Sequence, residues 1–418
     1  MNRTLYLHIG SHKTGTTSIQ KYLAANVALL ADRGVHYPVG SNGLKIGIVG
    51  GIDLTGDEDE GPKAGKKRAQ SVVDNILSSD APVVIGSTES FSYLFEAPQI
   101  QIYHDLLDRH FSTIKIISYL RRQDQFAISH HQEGANPQVK PAAKLYGHSP
   151  TALPQPNDIQ RKYLDYDTRI GHWANVFGND AMVVRAYDRF LLKNGDSVAD
   201  FLDIVGLGDL DVSTAEEKNV SMGFVRTKVG HILHETVRFE PLRVRLMKLL
   251  PNEGRLLPRR DAARAFVAPY VAGNRRLNAR FKITALRDLF SDDFSMFPEG
   301  GDESWTETTA NATIRAIAEM LNVLASLDHG LTPDQLMAAA MALSDTNVNL
   351  ALKFKAAAEQ SQLDAEGVAT ASRKAGRRTS AKATSKRAKG QNRKVRKPSK
   401  SDATEEDAPP PAAADGQR

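Results

Sequence analysis

The first half of the chain alternates short apolar runs with longer segments in which apolar residues recur at helical spacing. Continuous apolar runs of about four to eight residues are typical of strands buried on both faces of a parallel sheet. The spacing in the intervening segments predicts amphipathic helices that cover those faces. The predicted strands are 4–9, 82–86, 113–120 and 181–184, and the predicted helices are 16–32, 66–79, 98–110 and one that begins near Asp124. We therefore predict an α/β domain with three layers, α/β/α, around a central parallel sheet.

Two long segments interrupt this alternation. Residues 40–66 are rich in glycine and contain the acidic run 57–60, which indicates a mobile loop or lid. Residues 136–160 contain five prolines and predict a second long loop. Loops of this length in a compact domain are often functional, but a surface insertion without a function explains them equally well.

The second half of the chain has a different pattern. Residues 223–290 are typical of basic amphipathic helices, with Phe266, Tyr270, Leu277 and Phe281 as a candidate core stripe. The last part is low in complexity and too poor in apolar residues to offset the chain entropy lost on folding. The predicted organisation is a domain at 1–298, a linker at 299–306, a helical extension at 307–362 with helices near 307–327 and 332–360, and a disordered Lys/Arg/Ala-rich tail at 363–418 with an acidic, proline-rich end.

The formal net charge of +5 is unevenly distributed along the chain. Residues 373–400 hold 13 lysines and arginines and no acid, residues 401–418 carry −4, and the remaining body also carries −4. The positive charge therefore belongs to the tail and does not indicate that the folded domain binds nucleic acid. The tail itself is a candidate contact for nucleic acid or another polyanion, with a solubilising extension as the alternative.

Several function classes are excluded or disfavoured by composition. Cysteine is absent from the 418 residues, so a disulfide framework and a thiolate metal site are excluded. The first residues lead straight into the first predicted strand without the features of a signal peptide. No apolar run approaches the ~20 residues that span a bilayer, so no transmembrane segment is predicted. These features favour a cytoplasmic location, and they make no prediction about the oligomeric state.

The segment that follows the first predicted strand has the features of an anion-binding loop. Gly10 and Gly15 bound a loop with one lysine, Lys13, and a hydroxyl-rich helix start follows. Backbone N–H groups and the positive end of the helix would converge there on a phosphate. A Walker A loop has its lysine directly after the second glycine, but here Thr16 occupies that position. The alternative is a plain Gly/Thr turn with an exposed lysine.

The sequence Lys-x-Gly-Thr-Thr after a first strand resembles the 5′-phosphosulfate loop of sulfotransferases that use 3′-phosphoadenosine 5′-phosphosulfate (PAPS). The longer run resembles bacterial members of that family that act on carbohydrates or similar acceptors. In the family, an arginine at a later strand end and a serine eight residues further on bind the 3′-phosphate, and Arg121 and Ser129 have that spacing. Arg122 is an alternative to Arg121 that the sequence leaves open. The resemblance covers roughly residues 4–290 and implies a P-loop-like domain.

The resemblance implies transfer of a sulfuryl group from PAPS to a hydroxyl or amine of an acceptor, expected to be a carbohydrate, without a metal. Lys13 would contact the bridging oxygen of the donor. Glu89, just after the second predicted strand, is the first candidate for the base, and His12 is the second. For Glu89 the alternative is a carboxylate favoured only by a helix dipole. The residues implied to hold the 5′-phosphate are Lys13, Thr14, Gly15, Thr16, Thr17 and Ser18.

Three neighbours of Ser129 have expected roles outside catalysis. Asp124 is expected to cap the helix that starts near it. His130 and His131 are expected on the surface rather than in an acceptor cleft.

Two other functions stay open. One is a P-loop nucleotide kinase or NTPase, which shares the predicted sheet. The absence of a lysine directly after Gly15 and the presence of the Arg121–Ser129 pair argue against it. The other is a non-catalytic protein that binds polyanions through its basic tail.

Overall fold

The structure is a computed structural model that describes residues 2–40, 62–137, 147–212, 222–237, 239–328 and Glu359. Four predicted features lie mainly or wholly outside these residues. They are the lid over 41–61, the part of the second loop at 138–146, the helix at 332–360 apart from Glu359, and the tail at 363–418. These features stay predictions.

A five-stranded parallel sheet forms the centre of the molecule, and its strand order is β2-β3-β1-β4-β5. The central strand β1 pairs through Leu7 with Gly86 of β3 on one side and with Ile116 of β4 on the other. β5 pairs with the far side of β4, and β2 is a short edge strand beside β3. The strands are β1 Thr4–His8, β2 Val35–His36, β3 Val83–Ser87, β4 Thr113–Leu120 and β5 Met182–Ala186.

Helices occupy most of the remaining described chain. Short 3₁₀ helices follow or precede several strands, and the one at Glu89–Tyr93 begins directly after β3. The helices are α1 Thr16–Ala25, α2 Val27–Asp32, α3 Pro62–Ile76, α4 Ala97–Leu107, α5 Gln123–Gly134, α6 Asp158–Leu164, α7 Tyr166–Phe177, α8 Ser197–Ile204, α9 Phe224–Thr236, α10 Glu240–Leu249, α11 Arg260–Val267, α12 Val271–Phe281 and α13 Glu307–Asp328.

Neighbouring residues of each strand pack into opposite helical layers. On β4, Ile116 packs in the layer built from α3, α4, α7 and α12, whereas Ile117 packs in the layer built from α1, α2 and α8. Val84 and Ile85 of β3 divide between the layers in the same way. Successive side chains of a strand point to opposite faces, so one continuous apolar run contributes to two cores. The prediction of three layers, α/β/α, around a parallel sheet is confirmed.

The helix predicted over 16–32 is two helices, α1 and α2. The break lies at Asn26, whose backbone φ and ψ of −114° and 22° are not helical. Its side-chain Nδ2 donates to the carbonyl of Tyr22 and so competes with the regular helical hydrogen bonds. The helical periodicity of the apolar residues continues across the break, so it carried no sign of the interruption.

Other boundaries differ from the predictions by a few residues, and one element was missed. Strand β2 has two residues and follows Gly34, and it is too short to give an apolar pattern. Helix α3 begins at Pro62, so the predicted loop over 40–66 is too long at its end. Helix α4 ends at Leu107 and continues as a 3₁₀ turn, Asp108–His110, within the predicted helix.

The predicted core stripe in the basic helices is divided between two cores. Leu277 and Phe281 belong to the core under α12, whereas Phe266 and Tyr270 pack beside Tyr163. The division falls at the 3₁₀ turn Ala268–Tyr270, which contains Pro269 and separates α11 from α12.

The segment predicted as a linker, 299–306, contacts the domain. Leu257 and Asp302 form an antiparallel bridge, and the amide of Ala152 donates to the Glu303 carboxylate. Beyond this segment, α13 confirms the first helix predicted in the extension, and its Ala316 packs with α9 and α10. The domain boundaries at 298 and 362 stay predictions.

Four histidines form a cluster where α5 meets α9. His131 of α5 stacks on His231 of α9 with ring centroids 4.0 Å apart, and His148 stacks on His234 at 4.5 Å. Burial lowers the pKa of His131 to about 4. Burial and the neighbouring histidines lower the pKa of His231 to about 2. Both rings are therefore neutral in the folded protein at neutral pH, and they pack as aromatic groups.

This cluster should make stability fall on acidification. In the unfolded chain a histidine titrates near pH ~6.5, but the folded protein keeps His131 and His231 neutral down to about pH 4 or lower. Their contribution is fully present above the unfolded pKa and decreases by about 1.4 kcal/mol per group and pH unit below it. Urea unfolding at neutral pH and at mildly acidic pH measures this loss.

The variant His231→Leu should lose less stability on acidification than the wild type, because it removes one titrating group. His110→Gln changes a histidine outside the cluster and serves as the control. An equal loss in His231→Leu and in the wild type would contradict the prediction.

Candidate functional site

Three residues predicted for the site lie at the carboxyl edge of the sheet, where β1, β3 and β4 end. Nη1 of Arg121 donates to the backbone carbonyl of Lys13 over 3.4 Å. Glu89 packs against Gly10, where an added Cβ would lie 3.2 Å from the Glu89 Cβ. Three separate chain segments therefore converge at this edge, which follows from the parallel pairing of the strands.

The loop between β1 and α1 is closed by its own hydroxyl groups. The carbonyl of Ser11 accepts hydrogen bonds from Oγ1 of Thr14 at 2.7 Å and Oγ1 of Thr16 at 2.9 Å. All three residues are buried, whereas Thr17 is exposed and Ser18 is half-buried. The hydroxyls of Thr14 and Thr16 therefore shape the loop, whereas Thr17 and Ser18 stay accessible to solvent.

The start of α1 has the features of an anion site. Gly15 is its N-cap residue, with a left-handed φ of +79°. Within the described chain, no side chain caps this end and no acid lies in its first turn. The backbone N–H groups of Thr16, Thr17 and Ser18 are among those that a helix leaves without internal partners. Together with the helix dipole they favour a negatively charged group.

Lys13 extends from the loop toward α5. It adopts a left-handed φ of +60°, which is uncommon for a residue with a side chain. Its Nζ lies 3.9 Å from Oε1 of Glu133, and both side chains are about one-third exposed or less, at 27% and 34%. A partly exposed pair at this distance is weak. The lysine can therefore leave Glu133 for a ligand at little cost.

One face of α5 adjoins this lysine. Residues Arg121, Gln125, Ser129 and Glu133 are four apart, and this spacing places them on one side of the helix and its start. Nε of Arg121 donates to Oε1 of Gln125 at 3.4 Å, and Ser129 is half-buried. The pairing of Arg121 and Ser129 at one phosphate stays a prediction.

The guanidinium of Arg121 also lies near the ring of Tyr187, which follows β5, with its carbon 5.9 Å from the ring centroid. Burial lowers the pKa of Arg121 from its ordinary value. An arginine titrates far above neutral pH, so the side chain keeps its charge. Arg121 is therefore a half-buried cation at the edge of the site.

Arg122 is engaged in the structure of the domain itself. Its Nε and Nη2 donate to the two carboxylate oxygens of Asp124 at 2.8 and 2.9 Å, and Nη1 donates to the carbonyls of Ser291 and Asp293. Its guanidinium also lies 4.0 Å from the Phe294 ring centroid. The expectation that Asp124 caps α5 is wrong, because its carboxylate pairs with Arg122. Of the two adjacent arginines, Arg121 faces the loop.

His12 belongs to a buried aromatic cluster beside the loop. Its Nδ1 is hydrogen-bonded to the Tyr163 hydroxyl at 2.9 Å, and its backbone N–H donates to the same oxygen. Its ring stacks on His130 with centroids 5.2 Å apart, and Tyr93 packs on it as well. His12 therefore orients the loop against α5 and α6.

The expected surface location of His130 and His131 is wrong. Their exposed fractions are 1% and 0%. Burial, with His12 and Lys13 nearby, lowers the pKa of His130 well below its ordinary value. The two histidines point to opposite sides of α5, one toward the loop and the other toward α9. Helix α5 is thus covered on two sides, which its own sequence does not indicate.

Glu89 lies beside the loop on the side of β3. It begins the 3₁₀ helix after this strand, and its Oε2 accepts a hydrogen bond from Nε2 of Gln20 at 3.0 Å. Gln20 is a buried residue of α1. The carboxylate of Glu89 is therefore held by the same helix whose N-terminus faces the loop.

Four further residues at this edge were missed from the sequence. Gln125 and Glu133 could have been found from their spacing of four from Arg121. Tyr187 follows β5 as Arg121 follows β4, and this position was a usable signal. Ser197 packs against Gly15, and nothing in the local sequence indicates this contact.

Among the described residues, no group of three or more His, Asp or Glu side chains is arranged to hold a metal ion. None of the helices in the same part of the chain is both long and apolar enough to cross a membrane.

Comparisons with known proteins give little further information. No family model matches the chain. An uncharacterized protein of Archaeoglobus fulgidus is 27% identical over 131 residues, which are 30% of this chain. The match spans about a third (32%) of the length of that curated relative.

Among solved structures, the crystal structure of a sulfotransferase from Alicyclobacillus acidocaldarius aligns with a TM-score of 0.38 and 17% identity. This alignment covers 68% of this chain and 98% of that one. A likeness at this level carries no argument about function.

The loop geometry predicts a strict requirement for glycine at position 15. Gly15→Ala should lower the free energy of unfolding by about 2–3 kcal/mol, because the left-handed conformation is strained for alanine and its Cβ would collide with the Ser197 side chain. Gly147→Ala is the matched control, because its φ is +63° and no described atom would lie within 4 Å of the added Cβ. Equal losses in the two variants, measured by urea unfolding, would show that the contact with Ser197 contributes nothing.

Proposed function

We propose that the protein is a PAPS-dependent sulfotransferase. The observation that carries the proposal is the hydrogen bond from Arg121 to the Lys13 carbonyl, beside the uncapped start of α1. The Arg121 guanidinium, the backbone of the residue that carries a second cation and a set of helix N–H groups thus lie at one edge of the sheet. A donor with phosphates at both its 5′ and 3′ positions needs two such anion sites, and a single phosphate needs only one.

The residues at this edge suit the two phosphates of the donor. The N–H groups of Thr16, Thr17 and Ser18, with the hydroxyls of Thr17 and Ser18, would hold the 5′-phosphate. Arg121 and Ser129 would hold the 3′-phosphate, since a guanidinium gives charge-assisted hydrogen bonds to phosphate oxygens. Arg122 has no part in this proposal, because its donors serve Asp124 and two carbonyls.

Lys13 would act on the leaving group. In an in-line transfer, the bond from sulfur to the bridging oxygen breaks while a bond from sulfur to the acceptor oxygen or nitrogen forms. Negative charge builds on the bridging oxygen, and a preorganised cation stabilises that charge. Lys13 can supply it after leaving Glu133, and the donor departs as adenosine 3′,5′-bisphosphate.

A base has to take the proton of the acceptor. Glu89 is the first candidate, since Gln20 orients its carboxylate next to Gly10. His12 is the second, but its Nδ1 is occupied by the Tyr163 hydroxyl. We propose a carbohydrate as the acceptor on the resemblance of the motifs alone.

Binding of adenosine 3′,5′-bisphosphate tests the donor site. Arg121→Ala should weaken this binding at least about tenfold, because a hydrogen bond to a charged group contributes about 1.5–3 kcal/mol. Lys13→Ala should weaken it less, since the proposed role of this lysine is in the transition state. Calorimetric titration of the full chain, with and without magnesium, measures both effects.

Two exposed residues provide matched controls for these variants. Lys21→Ala removes an exposed lysine of α1, and Arg109→Ala removes an exposed arginine at the opposite edge of the sheet. Neither should change the affinity. Binding of ATP with magnesium in preference to the bisphosphate would favour a kinase or NTPase and contradict the proposal.

The proposed base has its own signature. Glu89→Gln should lower kcat by about 100-fold or more, the usual range for general base catalysis, and leave the affinity for the bisphosphate unchanged. The assay measures sulfated product from PAPS and a set of saccharide acceptors. Glu96→Gln, at an exposed carboxylate that pairs with Lys162, is the control. If Glu89→Gln kept a normal kcat and His12→Asn or Glu133→Gln lost most of it, the base would be the residue changed in that second variant.

A further inference from the structure

A buried arginine lies directly behind the loop. Arg169 of α7 is 1% exposed, and its Nη2 donates to the Ser11 hydroxyl at 3.0 Å. Among the described residues, its Nε and Nη1 have no hydrogen-bond partner. An arginine is charged at all physiological pH values. The domain therefore holds a positive charge in its interior that no carboxylate of the described residues neutralises by a hydrogen-bonded contact.

The surroundings of Arg169 compensate this charge only in part. Its guanidinium carbon lies 4.7 Å from the Tyr163 ring centroid and 5.3 Å from that of Tyr166. Such cation–π contacts contribute about 0.5–2 kcal/mol each, whereas burial of an unpaired ion costs several kcal/mol. The position is thus electrostatically unfavourable in the absence of an anion.

The charged group of Arg169 contacts Ser11, and hydrogen bonds of Ser11 hold the loop together. The Ser11 N–H donates to the Tyr119 carbonyl of β4 at 3.0 Å. The Ser11 carbonyl accepts hydrogen bonds from the hydroxyls of Thr14 and Thr16. Arg169 donates to the remaining polar group of Ser11, its hydroxyl. One hydrogen bond therefore links the Arg169 guanidinium to Ser11, the residue that holds the loop together.

The two tyrosines around Arg169 also connect to the site. The Tyr163 hydroxyl bonds to His12, and the Tyr166 hydroxyl donates to the Arg121 carbonyl at 2.8 Å. Arg169 thus packs between two rings that contact the loop and the end of β4. A change at Arg169 acts on both halves of the proposed donor site.

We propose that Arg169 is a positioning residue of this site, whose buried charge favours a phosphate in front of the loop and whose hydrogen bond orients Ser11. The inference rests on the proposed function, because it requires an anionic ligand at the loop. The positive charge of Lys13, the lysine of the loop itself, is partly compensated by the Glu133 carboxylate. The charge of Arg169 has no such competitor among the described residues.

The test compares charge with shape at position 169 in the full chain. Arg169→Gln removes the charge and keeps a donor, whereas Arg169→Lys keeps the charge without the planar group. Adenosine 3′,5′-bisphosphate and inorganic pyrophosphate are the probes, and calorimetry measures their affinities. Arg161→Gln, at an exposed arginine of α6 that pairs with Asp158, is the matched control.

Arg169→Gln should weaken both probes about tenfold or more, since it removes a charged group that acts in a water-poor interior. Arg169→Lys should stay within about threefold of the wild type. The melting temperature of Arg169→Gln should not fall, because the variant removes an uncompensated buried charge. Ser11→Ala keeps the charge and loses the hydrogen bond, and it should weaken binding less than Arg169→Gln.

Three results would overturn the inference. If Arg169→Gln bound both probes with wild-type affinity, the charge at position 169 would have no role in binding. Equal loss of affinity in the glutamine and lysine variants, with a lower melting temperature in both, would assign Arg169 to structure alone. A wild-type protein that binds neither probe would refute the proposed donor site itself, and the inference would fall with it.

Discussion

The candidate site depends on the parallel pairing of β1 with both β3 and β4. This pairing brings the carboxyl ends of three strands to one edge, although the residues that follow them are separated by about 30 to 110 positions in the chain. Lys13, Glu89 and Arg121 occupy that edge for this reason alone. An antiparallel arrangement of the same strands would place their ends on opposite sides of the sheet.

Helix α5 links this edge to the rest of the domain. Arg121, just before the start of α5, contacts the loop, His130 packs on His12, and His131 stacks on His231 of α9. The helix therefore has little freedom to shift, because it is held on several sides by contacts of different chemistry. These contacts hold α5 beside the loop that Arg121 contacts.

Positive charge at the site comes from groups of unequal exposure. Lys13 is partly exposed and shares its charge with Glu133, Arg121 is half-buried, and Arg169 is buried. Solvent screens the charge of Lys13 most and the charge of Arg169 least. Hydroxyls close the loop from inside, and among the described residues no side chain caps the start of α1. The arrangement concentrates positive potential at a helix start that lacks the lysine of a Walker A loop.

The sequence determined four of the five strands, the layers and the positions of Lys13, Glu89 and Arg121 at strand ends, because apolar runs and strand ends are local features. It also predicted helix α13 but not the break at Asn26. Only the tertiary structure decided that Arg122 donates hydrogen bonds to Asp124 and to carbonyls about 170 residues away. It also decided that His130 and His131 are buried and that Arg169 lies behind the loop. The partners of a buried polar group come from distant segments, and no local pattern records which segments will meet.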